Sequence, residues 1–201
     1  LSGNKYYMVK CKLNMIRKLK DWADSNKDQD PVYYFQTVVH NLFIEQGIIE
    51  SCEDALKDIK QDIINYKKWN KSIETDKQIA CQRLEKMYGK GVLKIKPENI
   101  MYENHAQRLY FKLGFPLELG QVPLDKGLSE NVKILIEKAN KRANERANED
   151  DEKMISFIQH ALQNMELDPA HRSALIIVLA YKAGAKINMT CKSGKDRTGL
   201  V

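Results

Sequence analysis

The segment that most constrains the fold lies near the end of the chain: HRSALIIVLAYKAG, residues 171–184. As a helix it is apolar nearly all round, and such a helix has to be covered on most of its sides. Asp168-Pro169 ahead of it reads as an N-cap followed by proline at the first helical position. Gly184 reads as its C-terminal stop. Lys186 to Thr190 (KINMT) is short and alternating, which predicts a strand. The chain then runs T-C-K-S-G-K-D-R-T-G over residues 190–199. The order is therefore buried helix, strand, glycine-containing loop and the start of a further helix.

Ahead of residue 165 the pattern is mostly helical. Residues 5–24 set Val9, Leu13, Ile16, Leu19 and Ala23 on one face. Asp30-Pro31 reads as the start of a second helix, carrying Phe35, Val38, Val39, Leu42 and Phe43 and closed by Gly47. Ser51 is placed to cap the next, with Leu56, Ile59, Ile63 and Tyr66 in line. Another runs from Ile73 to Tyr88 and stops at Gly89. Val92 to Ile95 reads as a short strand before Pro97, and residues 98–113 as helix ending at Gly114. Residues 114–129 form the longest loop, of the kind that often carries function. Ser129 then caps a long polar helix containing KRANERANEDDE. Its Ala139, Ala143 and Ala147 recur every fourth residue, which reads as a thin stripe on a solvated helix, with a seam for a partner helix as the alternative.

Composition bounds the partners. Of 201 residues, 43% are apolar and 30% charged, a globular balance rather than a disordered one. The formal net charge of +6 suits anionic partners such as phosphorylated small molecules or an acidic membrane face. The lysines are scattered, and no nucleic-acid-binding motif accompanies them, so nucleic acid is not an expected partner. No run of roughly 18 apolar residues is present, and LSGNKYYMVKCK at the start has no apolar signal core. Cys11, Cys52, Cys81 and Cys191 fit neither a zinc pattern nor a compact disulfide framework, which points to free thiols in a reducing compartment. His40, His105, His160 and His171 form no ligand set, so neither a metal nor a cofactor is expected.

The chemistry concentrates in residues 191–199. A thiol is nucleophilic only as thiolate, and a free one titrates near about 8.5. A cysteine at a strand end, facing a helix N-terminus, is pushed toward the anion by unpaired N–H groups and by the helix dipole. Lys192 and Lys195 add positive potential, and Thr198 can donate its hydroxyl to the sulfur. The same loop suits phosphate. Successive N–H groups make an anion nest, Gly194 allows the turn, and Arg197 can return to grip two phosphate oxygens with its planar fork. The thiolate of Cys191 then lies in line with a leaving oxygen. Asp196 is a candidate to protonate that oxygen, with Asp125 and Asp168 as further candidates. Spacing alone is weak: Cys11 and Arg17 (CKLNMIR) repeat C-x5-R inside a helical pattern, without glycine, and read as accidental.

CKSGKDRTG resembles the signature loop of cysteine-based phosphoinositide phosphatases. It is most similar to that of bacterial effectors injected into host cells, of the Legionella and Salmonella type. The resemblance covers about ten residues. It implies Cys191 as nucleophile, Arg197 as phosphate clamp, Asp196 as general acid and Thr198 as support for the thiolate. Ser193 and Gly194 would complete the phosphate cradle, and Lys192 and Lys195 would contact additional phosphates of the inositol ring. It implies a substrate that is a phosphoinositide lipid or an inositol polyphosphate, action at an anionic host membrane, and a host protein as a candidate partner of the helical region. Thr190 stands where protein tyrosine phosphatases usually carry histidine, and no W-P-D acid loop is found. The fold expected is α+β: predominantly helical, with a small sheet carrying a strand–phosphate-loop–helix. It would be one α-rich catalytic domain over 1–201, with a helical subdomain at 1–113, a loop at 114–129 and the phosphatase loop within 166–201. With four residues after Arg197, the helix that backs the loop is expected to continue beyond Val201, and this polypeptide alone to be weakly active. A dual-specificity protein phosphatase and a non-catalytic helical interaction module remain the alternatives.

Overall fold

The computed structural model describes residues 3–25, 30–37, 44–104, 127–165, 167 and 169–190. Among them are six α-helices and three short strands, an α+β arrangement dominated by helix. The strands form one parallel sheet in the order β2-β1-β3, where β1 is Tyr33–Thr37, β2 is Ile100–Asn104 and β3 is Lys186–Thr190. The chain divides into two compact units.

The first unit comprises Leu1–Tyr33 and Gly47–Tyr102. Its helices are α1 (Gly3–Ser25), most of α2 (Ile44–Trp69) and α3 (Thr75–Lys94). The α1 helix falls where its periodicity predicts, but its buried stripe is turned. Met15, Ile16 and Leu19 are buried, whereas Val9 and Leu13 are 50% and 58% exposed. Ala55, Ile59 and Ile63 form the buried line of α2, and α1 packs on α3. That packing is close at Gly91, where a Cβ would come within 3.2 Å of the Ala23 methyl.

A polar knot joins the three helices. Lys12 of α1 reaches Asp62 at 2.9 Å and Asp58 at 3.4 Å on α2, and the Tyr88 hydroxyl of α3 donates to the same Asp62 carboxylate at 2.5 Å. The Asp62 carboxylate thus takes partners from both neighbouring helices, as a part-buried charge requires.

Several elements differ from the sequence expectation. Residues 33–37 are strand rather than helix: all five are buried, and a run buried on both faces shows no alternation to tell it from a buried helix. Its tyrosines and phenylalanine favour the strand. Asp30 does not cap a helix; its carboxylate accepts from the Asn99 side chain at 2.7 Å and pairs with Lys96 at 3.1 Å. Gly47 and Ser51 lie inside α2, where the Ser51 hydroxyl donates back to the Gly47 carbonyl at 2.6 Å. Gly89, with φ 75° and ψ 152°, breaks the helix where the sequence predicts a stop. A further helical stretch follows within α3, so residues 92–94 are helix rather than strand, with Val92 and Leu93 buried. Residues 100–104 are strand rather than helix; residues 105–113 and most of the 114–129 loop lie outside the described residues.

The second unit comprises Tyr34–Gln46 and Glu103–Val201. Three helices, α4 (Glu130–Arg146), α5 (Glu149–Asn164) and α6 (Pro169–Lys182), pack against one another, and α6 also packs against β3. Ser129 caps α4 as expected, accepting from the Val132 N–H at 3.2 Å. The KRANERANEDDE stretch is two helices rather than one. Ala147 adopts the left-handed conformation that closes α4, and Asn148 caps α5 by accepting from the Asp151 N–H at 3.1 Å. Four acidic residues follow in the first turn of α5, where the helix dipole favours them. Ala139 and Ala143 are buried, so the alanine stripe is an internal seam and not a solvated face.

Candidate functional site

The α6 helix and β3 match the predicted buried-helix-then-strand order. Pro169 is the first residue of α6, and Ile176, Leu179 and Ala180 are fully buried. Its cover is less complete than its composition suggests, since Val178 and Tyr181 face outward. Gly184 turns the chain into β3 with a φ of 74°, in the left-handed region that favours glycine. A Cβ there would run into the Arg142 guanidinium of α4. Lys182, at the end of α6, is tied to Asp151 of α5 at 2.5 Å.

β3 ends at Thr190, and Cys191 is the next residue. In open parallel sheets, ligands bind outside the carboxyl ends of the strands, at the crevice where strand order reverses. Here β1 is central. The chain passes from β1 through α2 and α3 to β2 on one side, then through α4, α5 and α6 to β3 on the other. The reversal falls between β1 and β3. The carboxyl ends of all three strands, Thr37, Asn104 and Thr190, belong to the second unit.

Polar side chains gather toward that edge. The Thr37 hydroxyl donates to the Asn104 side-chain oxygen at 2.8 Å, linking the ends of β1 and β2. Gln36 of β1 is 1% exposed. Its oxygen accepts from the Tyr34 hydroxyl at 3.1 Å, its amide donates to the Ser173 hydroxyl of α6, and the Met189 sulfur of β3 lies 3.9 Å away. Burial, and then the negative charge of Glu103, push the Tyr34 phenol well above its ordinary range, so it serves as a neutral donor. Arg172, on the turn of α6 before Ser173, is buried. It donates to the Leu162 carbonyl at 3.2 Å and to the Gly127 carbonyl at 2.6 Å, fixing the point where the chain returns from residues 105–126. The sequence reading did not single out Gln36, Arg172 or Ser173. An arginine-serine pair inside an otherwise apolar helix was the available signal, because buried polar groups require partners.

The residues named from the loop, Cys191, Lys192, Ser193, Gly194, Lys195, Asp196, Arg197 and Thr198, lie outside the described residues, as do Asp125 and Asp168. The second C-x5-R, Cys11 to Arg17, lies wholly inside α1. Six residues of helix separate its ends by roughly 9 Å along the axis, on different faces, so it forms no anion cradle. Among the described residues no cluster of histidine, cysteine or carboxylate side chains is arranged to hold a metal ion, and no helix is long and apolar enough to cross a membrane. Neither a protein-family model, nor a curated protein, nor a solved structure matches the chain.

Proposed function

We propose that the protein hydrolyses a phosphate monoester on a phosphoinositide or inositol polyphosphate through a phosphocysteine intermediate. The Cys191 thiolate attacks phosphorus, and the bond to the inositol oxygen breaks as Asp196 protonates it. Water then releases phosphate from the sulfur. Arg197 and the amides of residues 192–197 bind the equatorial oxygens and stabilise the charge that builds on them in the transition state. Thr198 donates to the thiolate. Lys192 and Lys195 engage further phosphates on the ring, which favours a multiply phosphorylated substrate over a phosphopeptide. A substrate lipid places the enzyme at an anionic membrane surface, which suits its positive net charge.

One observation carries this reading. The only C-x5-R in the sequence that also holds glycine and a hydroxyl after the arginine begins at the residue following β3. That strand is one of the two between which the sheet reverses its order, the position at which open parallel sheets commonly bind ligands.

The test is phosphate release by the full-length protein from vesicles containing individual phosphoinositides, from soluble inositol polyphosphates and from a tyrosine-phosphorylated peptide. Release from the inositol substrates is expected, with Cys191→Ser lowering the rate by at least about a thousandfold. Equal rates for wild type and Cys191→Ser would eliminate the mechanism. Preference for the peptide would replace the substrate class with phosphoprotein.

A further inference from the structure

Cys11 on α1 and Cys52 on α2 are 41 residues apart in sequence, yet their sulfur atoms lie 2.8 Å apart. The two thiols differ in access. Cys52 is buried at 5% exposure, whereas Cys11 is partly open to solvent. The surrounding ion pairs hold the two helices in this register, because Lys12, next to Cys11, is bound to both Asp58 and Asp62 of α2. Cys81, the third cysteine among the described residues, is a buried free thiol on α3.

We infer that Cys11 and Cys52 are a peroxide-oxidisable thiol pair that forms a reversible disulfide, stapling α1 to α2. The chemistry follows from the asymmetry of access. The Cys11 thiolate attacks a hydroperoxide, forming an S–O bond as the O–O bond breaks, and the displaced oxygen leaves as hydroxide or alkoxide. The Cys52 sulfur then displaces the hydroxyl group from the Cys11 sulfenic acid. The S–S bond forms, the S–O bond breaks, and that hydroxyl leaves as water with the Cys52 proton. Two thiols are oxidised and one peroxide is reduced. The local electrostatics agree with these roles. The hydrogen bond from Cys52, and then the charge of Lys10, favour the Cys11 thiolate against the opposing effect of burial. The same hydrogen bond together with burial holds Cys52 protonated, as a resolving thiol should be until it reacts.

The pair is independent of the phosphatase loop, and its test does not read phosphatase activity. Full-length protein carrying Cys191→Ser, to remove the other thiol argued to be reactive, is treated with hydrogen peroxide, alkylated, digested and mapped by mass spectrometry. A peptide cross-linked between Cys11 and Cys52 is expected, lighter than the reduced pair by about 2 Da, restored by dithiothreitol, with Cys81 still alkylated. The closed loop is long, so the oxidised protein should unfold at a midpoint higher by several degrees, roughly 5 °C or more. Cys52→Ser should instead let Cys11 advance to the sulfinic acid. Recovery of Cys11 and Cys52 as free alkylated thiols after peroxide would overturn the inference. So would a cross-link to any other cysteine, or a Cys11–Cys52 cross-link that leaves the unfolding midpoint unchanged.

Discussion

Tyr88 shows how a single residue can bind an element to its neighbours. Its ring is fully buried and its hydroxyl donates to Asp62, which also holds Lys12. Burial, then the hydrogen bond to Asp62, raise its phenol above the ordinary value. The folded state therefore retains this proton at pH values where the unfolded chain gives it up. The stabilisation is complete below the unfolded phenol pKa of about 10 and is lost as pH rises above it. Tyr88→Phe should cost about 1.5–3 kcal/mol at neutral pH, the range for a hydrogen bond to a charged group. It should also flatten the fall in stability across the alkaline range. Urea unfolding of both proteins from neutral to alkaline pH measures the two effects together. The knot that Lys12, Asp62 and Tyr88 make could not be read from the sequence, because its members come from three helices and no spacing rule joins them. The reading of the loop from Cys191 to Gly199 is of the opposite kind: it draws on nine consecutive residues alone, and they lie outside the described residues.

At the scale of elements, legibility followed locality. The boundaries of β3 agree with KINMT, α6 begins at Pro169 and turns at Gly184, and Ser129 caps α4, all set by neighbouring residues. The failures lie where tertiary burial decided. Tyr33–Thr37 carries no alternation because both faces of the central strand are covered. Val92-Leu93, buried side by side beyond the break at Gly89, form a second helical stretch that so short an apolar run does not distinguish from a strand. The break at Ala147 went unseen because alanine is a strong helix former, and only the capping of Asn148 onto Asp151 marks the new start. The turn at Gly184 is the element-level feature most exposed to mutation. Gly184→Ala forces a side chain into the left-handed region and against Arg142. It should destabilise the protein by roughly 1–3 kcal/mol, and under the proposed mechanism phosphate release should fall as well, because β3 follows directly. Asn148→Ala removes the cap of α5, away from the strand ends, and should cost about 1 kcal/mol without that loss of rate. Thermal unfolding and phosphate release, measured on both variants, separate the two outcomes.

Across the whole molecule, most of the described residues are helical, and the proposed chemistry falls to the short stretch that follows β3 in sequence. The three strand ends, the Gln36–Ser173 link between β1 and α6 and the Arg172 clamp on Gly127 all lie in the second unit, which also contains the residues that follow β3. A site seated on strand ends and packed helices is held more firmly than one carried by a free loop. What the composition contributes is the charge balance: a basic protein that meets a polyanionic substrate gains in encounter rate, and the gain falls with ionic strength. Neither charge nor fold identifies the reaction; that rests on Cys191 taking the phosphoryl group. Rapid acid quench of the full-length protein during turnover of a phosphoinositide, with mass spectrometry of its peptides, tests this directly. The expected result is a gain of about 80 Da on Cys191, the mass of a transferred phosphoryl group. Phosphate release with the adduct on another residue, or with none on any, would contradict it.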